Sequence, residues 1–389
     1  MQICICRVRV EYVKLEEICT IVSGGTPSRS KPNYWNNGNI PWIKIKDMKS
    51  KYIDSAEEFI TEEGLNNSST KMLKRDTILY SIFATLGEVG ILKIDACTNQ
   101  AIAGLSLKED SNILKEYLYY YLKSKKKDVN NLGRGVAQNN INLSLLRKFK
   151  IPVIPLRQQK KIIEVLDNVS STINNYEREL ALLDELVKAR FVEMFGDPVT
   201  NDMLWNTDVL KDICTKIGSG STPRGGKESY INEGISLIRS MNVHNAYFEY
   251  KDLAHITLDQ AEKLNNVVVE HDDLLFNITG ASVARCCVVP SDVLPARVNQ
   301  HVCILRCREK INPIFLQGLL VNENYQGKLL QIAKSGATRE AINKQQLESL
   351  EIMIPPLEFQ NQFASFVQEI DKSRLLSNHS LFLIKSLIF

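Results

Sequence analysis

Two short polar loops contain the residues of this 389-residue chain that are best suited to contact phosphate groups. The loops are residues 23–28, Ser-Gly-Gly-Thr-Pro-Ser, and residues 219–224, Ser-Gly-Ser-Thr-Pro-Arg. Glycines allow another backbone to approach closely, and hydroxyl groups can donate hydrogen bonds to phosphate oxygens. A loop of this composition is more often a simple turn, so the residue types alone indicate only a candidate surface. The candidates are Ser23, Gly25, Thr26 and Ser28 in the first loop and Ser221, Thr222 and Arg224 in the second.

Basic residues follow the first loop. Between residues 29 and 51, six basic residues are interleaved with three aromatic ones, and Asp47 is the only acid. This pattern is typical of a nucleic-acid-binding surface, and the alternative is an ordinary solvated face. Because the formal net charge is only +3, such binding depends on local clusters. The basic candidates are Arg29, Lys31, Lys44 and Lys46 in the first half and Lys227 and Arg239 in the second.

A further polar loop occurs late in each half, at residues 133–140 and 334–340. Arginine matches the hydrogen-bonding edge of guanine, and glutamine or asparagine matches that of adenine. Loops rich in side-chain amides are also common on plain protein surfaces. The sequence therefore offers candidates for base reading, namely Arg134, Gln138, Asn139 and Arg339.

Motifs that would support catalysis are missing from the sequence. We find no P-loop, no Rossmann glycine fingerprint, no Asn-Pro-Pro-Tyr-type amino-methyltransferase motif and no carboxylate-plus-lysine nuclease cluster. Cys286, Cys287, Cys303 and Cys307 could meet His301 around a zinc ion. However, Cys303 and Cys307 lie in an alternating, strand-like run, where buried thiols act as small hydrophobic groups. The sequence predicts no catalytic residue, no metal site and no cofactor bound by this chain.

Composition and the amino terminus restrict the cellular setting. The nine cysteines include no CxxC pair, which favours reduced thiols and a cytoplasmic protein. The apolar start of the chain is short and meets Arg7 and Arg9 too soon for a signal peptide or a membrane span. We therefore expect no export and no membrane partner.

The sequence contains an internal repeat. Residues 15–27, LEEICTIVSGGTP, return as residues 210–223, LKDICTKIGSGSTP, with one residue inserted. Four more matches follow in the same order, pairing residues 76–80 with 272–276, 99–100 with 299–300, 135–142 with 336–343, and 154–156 with 355–357. Five collinear matches indicate a duplication. Because most residues between the matches differ, we expect a shared scaffold with two separately tuned surfaces, and neutral drift is the alternative.

Each copy is followed by a predicted long helix. After Pro155 the chain has no proline or glycine before Gly196, and apolar residues recur at steps of three and four. The same register returns in the second helix, with polar residues at Arg374 and Ser377. We expect the two helices to pair, and an antiparallel pairing would place the globular parts at opposite ends of a spacer of about 58 Å. The alternative is that each helix packs on its own domain. The seam residues are Ile162, Leu166, Val169, Ile173, Tyr176, Leu180, Leu183, Val187 and Met194 in the first helix and Phe363, Val367, Ile370, Leu381, Ile384 and Ile388 in the second.

Strand-like and helical runs alternate in both globular parts. Residues 40–45, 77–83, 267–269 and 302–305 predict strands, and residues 113–126 predict a helix. The predicted fold class is mixed α/β, with two tandem globular domains separated by two long antiparallel coiled-coil helices. The predicted domains are residues 1–155 and 198–355, followed by helical spacers at 156–197 and 356–389.

The duplicated motifs resemble those of the specificity subunit of type I restriction-modification systems. They are Leu-x-x-Ile, Gly-x-Thr-Pro, Ile-Pro-Trp, Gly-x5-Ile-Asn, and Ile-Pro-x-Ile-Pro-Leu-x-x-Gln before a long helix, and they cover nearly the whole chain. The second copy departs from this pattern where Ile40-Pro-Trp42 becomes Ile235-Ser-Leu237, and where Gln158-Gln159 becomes Phe359-Gln360.

This resemblance implies two target-recognition domains, each reading one half of a bipartite double-stranded DNA site, with the two helices fixing their distance. It also implies partners. A separate modification (methyltransferase) subunit would use S-adenosylmethionine for adenine methylation, and a restriction subunit would use ATP and Mg²⁺. The exposed heptad seams leave open a homodimer of the isolated chain. Two other classes also stay open at this point: an unrecognised nuclease or methyltransferase, and a coiled-coil scaffold that binds only proteins.

Overall fold

The computed structural model describes residues 11–133, 141–223, 225–334 and 340–388. The chain divides into two compact units, residues 1–172 (unit 1) and residues 173–389 (unit 2).

The elements of unit 1 alternate between strands and helices. In chain order they are β1 Glu11–Lys14, α1 Leu15–Ile18, β2 Cys19–Ser23, β3 Ile40–Ile43, β4 Tyr52–Ile53, β5 Glu58–Ile60, α2 Glu62–Asn66, β6 Ile78–Ser81, β7 Val89–Leu92, β8 Cys97–Thr98, β9 Ile102–Leu107, α3 Lys115–Ser124, α4 Lys126–Gly133, α5 Leu143–Arg147, β10 Lys150–Val153 and the start of α6 Leu156–Phe195.

Unit 1 is built on a five-stranded sheet with the strand order β2-β9-β6-β7-β4. A three-stranded sheet β5-β3-β8 and the pair β1-β10 accompany it. Successive residues of a strand point to opposite faces. Ile78 and Tyr80 of β6 therefore enter the core formed with α3 and α5, whereas Leu79 enters a second core with Ile43 and Met48. The large sheet is thus buried on both faces.

Unit 2 contains the end of α6 and, in its described residues, repeats the element order of unit 1 with two additional strands. The elements are β11 Thr207–Val209, α7 Leu210–Ile213, β12 Cys214–Ser219, β13 Ile235–Ile238, β14 Val243–His244, β15 Tyr247–Phe248, β16 Ala254–Ile256, α8 Leu258–Glu262, β17 Val268–Val269, β18 Leu274–Asn277, β19 Cys286–Val288, β20 Ala296–Val298, β21 Val302–Cys307, α9 Pro313–Val321, α10 Glu323–Lys334, α11 Lys344–Glu348, β22 Glu351–Met353 and α12 Leu357–Ile388.

The sheets of unit 2 correspond to those of unit 1. β12-β21-β18-β19 matches β2-β9-β6-β7, β16-β13-β20 matches β5-β3-β8, and β11-β22 matches β1-β10. Registers agree as well, because Leu274 pairs with Leu305 as Ile78 pairs with Leu105. The predicted mixed α/β class and the internal repeat are confirmed at the level of strand pairing.

The predicted long helices are present, and in unit 2 they pack against each other. Phe191, Phe195 and Phe363 form a buried aromatic cluster with Phe315, with ring centroids 4.8–5.8 Å apart. Further along, Arg374 contacts Asp184 at 2.5 Å and Lys385 contacts Glu177 at 2.9 Å. Because residue numbers rise on α12 as they fall on α6, the pairing is antiparallel.

The polar residues in the seam of α12 have partners on α6. The Ser377 hydroxyl donates to Glu179 at 3.1 Å, and Arg374 pairs with Asp184. Acidic residues of the first helix therefore compensate the interruptions that the sequence shows in the second. α6 ends at Phe195 because Gly196 adopts a φ of +76°, the left-handed conformation that closes many helices.

Buried glutamines attach the long helices to the globular parts. Gln159 accepts from the backbone N–H of Leu114 at 2.7 Å and donates to the carbonyls of Asn112 and Ile154. Gln360 makes the equivalent bonds with Asn312, Lys310 and Pro355 in unit 2. Both side chains are fully buried. Of the Gln158-Gln159 pair in the first turn of α6, the second residue is the one that the repeat keeps, because it anchors the helix start.

The cysteines considered for zinc lie in the hydrophobic interior. Cys286 and Cys303 belong to the core around α9, while Cys287 faces the other side of the sheet. Burial raises the pKa of the Cys303 thiol to about 12. Within the described ranges, no group of three His, Cys, Asp or Glu residues is arranged to hold a metal ion. No helix in the described part of the chain is long and apolar enough to cross a membrane.

Candidate nucleic-acid interface

Loops of unit 1 converge at one edge of the large sheet. β2 and β6 end at this edge, and β9, which is antiparallel to both, begins there. Gly24 N–H donates to the carbonyl of Ile102 at 3.0 Å, and Ile82 N–H donates to that of Ala101 at 2.8 Å. Ile141 N–H in turn donates to the Ile82 carbonyl at 2.9 Å. The loops after β2, before β9 and after β6 therefore form one continuous surface.

Unit 2 repeats this convergence. Gly220 N–H donates to the Asn299 carbonyl at 3.1 Å, and Ile278 N–H donates to the His301 carbonyl at 3.0 Å. Ile342, the counterpart of Ile141, donates to Ile278 at 2.9 Å. The structure thus places the first polar loop of each copy at the same sheet edge, which we call the loop edge of each unit.

Several predicted contact residues fall where the structure does not describe them. Arg134, Gln138, Asn139, Arg224 and Arg339 lie outside the described residues. Lys227 lies on a short 3-10 helix, Gly226–Ser229, at the end of the first polar loop of unit 2. Their roles stay predictions.

The glycines of the polar loops are required by the protein's own packing. A Cβ atom on Gly24 would lie 2.1 Å from the Asn99 carbonyl oxygen, and one on Gly25 would lie 2.3 Å from the Ser69 hydroxyl. On Gly220 it would lie 1.8 Å from the carbonyl oxygen of Val298. Glycine here lets the loop press against the neighbouring strand ends, and the sequence alone did not indicate this partner.

Arg29 is held between aromatic and acidic groups. Its guanidinium lies 3.6 Å from the ring centroid of Trp35 and 5.1 Å from that of Trp42. It also pairs with Glu58, which pairs in turn with Lys44. The indole N–H of Trp35 donates to the Ser28 carbonyl at 3.1 Å, so the tryptophan fixes the loop that carries Arg29. These five side chains (Arg29, Trp35, Trp42, Lys44, Glu58) form the cation cluster of unit 1.

Two acidic residues at the start of β5, Glu58 and the preceding Glu57, reduce the positive charge that the sequence indicated. β5 pairs with β3 so that Glu58 lies opposite Trp42, and Glu57 pairs with Lys46. Burial alone would raise the pKa of Glu58, but hydrogen bonds from Lys44 and Arg29 lower it, so the carboxylate stays charged at neutral pH. The hydrogen bond from Lys46 likewise lowers the pKa of Glu57. The basic stretch is therefore partly neutralised, and its net charge is smaller than the local sequence suggests.

The remaining first-half candidates have local partners. The Lys31 ammonium donates to the Tyr34 hydroxyl at 2.9 Å, a bond that raises the pKa of the lysine. The Ser28 and Ser30 hydroxyls lie 2.8 Å apart, and Ser23 donates to the carbonyl of Gly24 at 3.2 Å. Ser23 is the last residue of β2, and the other residues belong to the segment between β2 and β3.

Lys44 and Arg239 occupy equivalent positions. Each follows the last residue of its strand, β3 or β13, and precedes a 3-10 helix, Ile45–Asp47 or Ser240–Asn242. The guanidinium of Arg239 donates to the carbonyl of Asp252 and lies 5.5 Å from the ring centroid of Tyr230. A basic residue beside the loop edge is therefore common to both units, although the two sequences around it differ.

The glutamines before β9 and β21 are not among the candidate contact residues that the sequence indicated. Gln100 and Gln300 are exposed at the loop edge, and each accepts a hydrogen bond from the threonine of its polar loop, Thr26 or Thr222. In unit 2, His301 lies 2.6 Å from the Thr279 hydroxyl through Nδ1. The signal was present in the repeat, since Asn99-Gln100 matches Asn299-Gln300.

Each unit has an α/β fold with polar and basic loops gathered at one sheet edge, and a long helix joins the two units. This arrangement defines a duplicated nucleic-acid-recognition protein. The chain matches the family described as type I restriction modification DNA specificity domain over residues 7–184 and again over residues 203–384. It belongs to that family and carries two copies of its domain.

Relatives of known name agree with this assignment. The EcoR124I/EcoR124II specificity subunit of Escherichia coli is 34% identical over 188 residues, which cover 47% of this chain and 46% of that protein. This match spans about half of that relative. The MjaIX specificity subunit of Methanocaldococcus jannaschii is 26% identical over 398 aligned positions, covering 96% of this chain and 89% of that protein.

Solved structures share the fold. The type I restriction-modification S subunit from M. genitalium superposes with a TM-score of 0.59 at 13% identity, covering 98% of this chain and 95% of that one. A chain from a study of type I complex assembly and conformational transition gives a TM-score of 0.59 at 17% identity, covering 97% and 95%. At these identities the likeness concerns the fold alone.

Proposed function

We propose that this chain is the specificity subunit of a type I restriction-modification complex. Each unit reads one half of a bipartite double-stranded DNA site through its loop edge, and the paired helices set the gap between the halves. The DNA-reading domains are residues 1–155 and 198–355, and the helical spacers are residues 156–197 and 356–389.

One observation carries this proposal: the same sheet edge is built twice, with different side chains around it. Unit 1 places the cation cluster there, whereas unit 2 places Arg239, His301 and Thr279. A duplicated scaffold with divergent loops suits two different DNA sequences, because base edges are read by the side chains that vary.

The chemistry would belong to partner subunits. We propose that this chain binds no cofactor of its own, that a modification subunit supplies methyl transfer from S-adenosylmethionine, and that a restriction subunit uses ATP and Mg²⁺. The EcoR124I/EcoR124II and MjaIX relatives are themselves named specificity subunits. We also propose a cytoplasmic location, where the chain would act on cellular DNA together with these subunits.

The gap between the half-sites provides the decisive test. A pool of random duplexes should yield, after selection by the purified full-length chain, two short motifs at a fixed separation. Lengthening the gap by two base pairs should abolish specific binding, since it rotates one half-site away from its domain. Binding that tolerates any gap length would contradict the spacer role.

Two controls address the competing classes. The chain alone should neither methylate nor cleave DNA when S-adenosylmethionine, ATP and Mg²⁺ are supplied, and turnover would favour an unrecognised enzyme. The affinity for DNA should fall steeply with salt, because contacts to phosphates release counterions. A chain that binds partner proteins but has no DNA affinity would instead be a scaffold.

A further inference from the structure

A threonine–glutamine pair occurs at the loop edge of both units in the same arrangement. The hydroxyl of Thr26 donates to Oε1 of Gln100, and that of Thr222 donates to Oε1 of Gln300. The threonines lie in the polar loops and the glutamines in the turns that precede β9 and β21. We call these two side-chain pairs, Thr26–Gln100 and Thr222–Gln300, the Thr–Gln pairs.

The adjacent asparagine, unlike the glutamine, has a clear structural role. Asn99 Oδ1 accepts the backbone N–H of Ala101 at 3.1 Å, and Asn299 Oδ1 accepts that of His301 at 3.0 Å. This bond forms the turn before the strand. The glutamine side chain instead points to the exposed surface, where one hydrogen bond between neutral groups adds little to stability.

The hydrogen bond from threonine orients the amide. Because Oε1 already accepts the hydroxyl proton, the group that the glutamine has most available for a ligand is Nε2, which can only donate. In unit 2 one of its two N–H groups is directed toward Nε2 of His301 at 3.2 Å, which leaves the second for another acceptor. The remaining N–H group therefore favours a ligand that accepts hydrogen bonds.

The surroundings of the Thr–Gln pairs differ between the units. After the glutamine, unit 1 has Ala101 where unit 2 has His301. In the loop that follows β6 or β18, unit 1 has Phe83 where unit 2 has Thr279. An element that is constant within variable surroundings does not distinguish two different base sequences. The part of DNA that is the same in any two half-sites is the sugar–phosphate backbone, and phosphate oxygens only accept hydrogen bonds.

We propose that Gln100 and Gln300 each donate an Nε2–H bond to a backbone phosphate at equivalent positions of the two half-sites. Thr26 and Thr222 act as positioning residues that orient the amide. The two contacts fix the register of each unit on DNA, and the divergent neighbours then read the bases. This inference rests on the proposed function, because it requires that each unit binds one half-site.

The test measures the affinity of the full-length chain for the duplex that the wild-type chain selects from a random pool. Gln100→Ala and Gln300→Ala should each weaken binding about tenfold, the scale of one hydrogen bond to a charged group. The preferred sequences of both half-sites should stay the same. The dependence of affinity on salt should also stay the same, since a neutral amide releases no counterion.

Replacing single phosphates by neutral methylphosphonates locates the contact. One position in each half-site should weaken wild-type binding and have no further effect on the matching alanine variant. Thr26→Val should give part of the loss of Gln100→Ala, and Thr26→Ser should restore binding. Gln362→Ala, at an exposed glutamine of α12, is the matched control and should bind as the wild type does.

Unchanged affinity in both glutamine variants, with unchanged melting temperature, would overturn the inference. A change in the preferred base at one position would overturn it as well, because it would make the glutamine a base reader. If the wild-type chain selects no bipartite site at all, the proposed function itself fails, and this outcome is visible before any variant is measured.

Discussion

A buried ion pair of unit 2 has a natural neutral counterpart in unit 1, and this gives a quantitative prediction. Asp273 is fully buried and accepts from Arg306 through Nε at 2.8 Å and through Nη2 at 2.9 Å. This bond raises the pKa of the Arg306 guanidinium. The strand registers make Thr77 and Ser106 the equivalent residues of unit 1, and their hydroxyls lie 3.2 Å apart.

Breaking the pair from its two sides should have unequal costs. Arg306→Ser leaves a fully buried carboxylate that still accepts from the backbone N–H of Glu270, so we expect a loss of about 4–5 kcal/mol. Asp273→Thr leaves a guanidinium that is partly exposed and still contacts Glu270, so we expect about 3 kcal/mol. The double variant recreates the neutral pair of unit 1 and should lie within about 1 kcal/mol of the wild type.

Hydrogen exchange resolved by peptide is the suitable assay, because it reports the opening free energy of each unit separately. Amides of β18 and β21 should exchange faster in the single variants and return near wild-type rates in the double variant. Amides of β6 and β9 in unit 1 serve as the internal reference. A double variant as unstable as Arg306→Ser would show that the two residues are not coupled and would refute the reasoning.

Three further predictions concern the loop edge and the helix anchors. Glu58→Gln removes the carboxylate that is shared by Arg29 and Lys44. The slope of log affinity against log salt should then steepen by about 0.9 for each additional phosphate that these cations contact. The control Glu109→Gln, in the turn after β9, should leave the slope unchanged. Gly220→Ala should destabilise unit 2 by about 1–3 kcal/mol in urea unfolding, because the new Cβ meets the Val298 carbonyl. Gly218→Ala should not destabilise it, because the space around Gly218 is open. Equal effects of the two variants would contradict the packing argument. Gln159→Ala should lower the free energy of unfolding by about 2–3 kcal/mol, because it leaves the buried partners of the amide without a hydrogen bond. Gln158→Ala, at the exposed neighbour, should lower it by less than about 0.5 kcal/mol. Similar melting temperatures for the two variants would contradict the anchor role of Gln159.

Local patterns in the sequence predicted the long helices and the repeat. The heptad seam and the missing proline and glycine predicted α6, which begins at Leu156 as expected and ends at Phe195 beside Gly196. The strands at residues 40–43 and 78–81 and the helix at residues 115–124 also lie where alternation and periodicity placed them. These features follow from residues a few positions apart, so a single sequence contains the information needed.

The charge of the candidate interface was not predictable in this way. Asp47 is the only acid between residues 29 and 51, yet Glu58 pairs with Arg29 across 29 positions of sequence. That contact depends on the pairing of β3 with β5. The buried role of Gln159 depends likewise on partners 45 and 47 residues away.

The sequence by itself determined that this protein is a duplicated α/β chain with two long amphipathic helices, because repeats and periodicity are local properties. Only the tertiary structure decided which loops share a sheet edge, which cations are already paired and which glutamines are exposed or buried. Antiparallel strand pairing brings together residues far apart in sequence. The electrostatic character of a surface is set by these distant neighbours, and no local pattern records them.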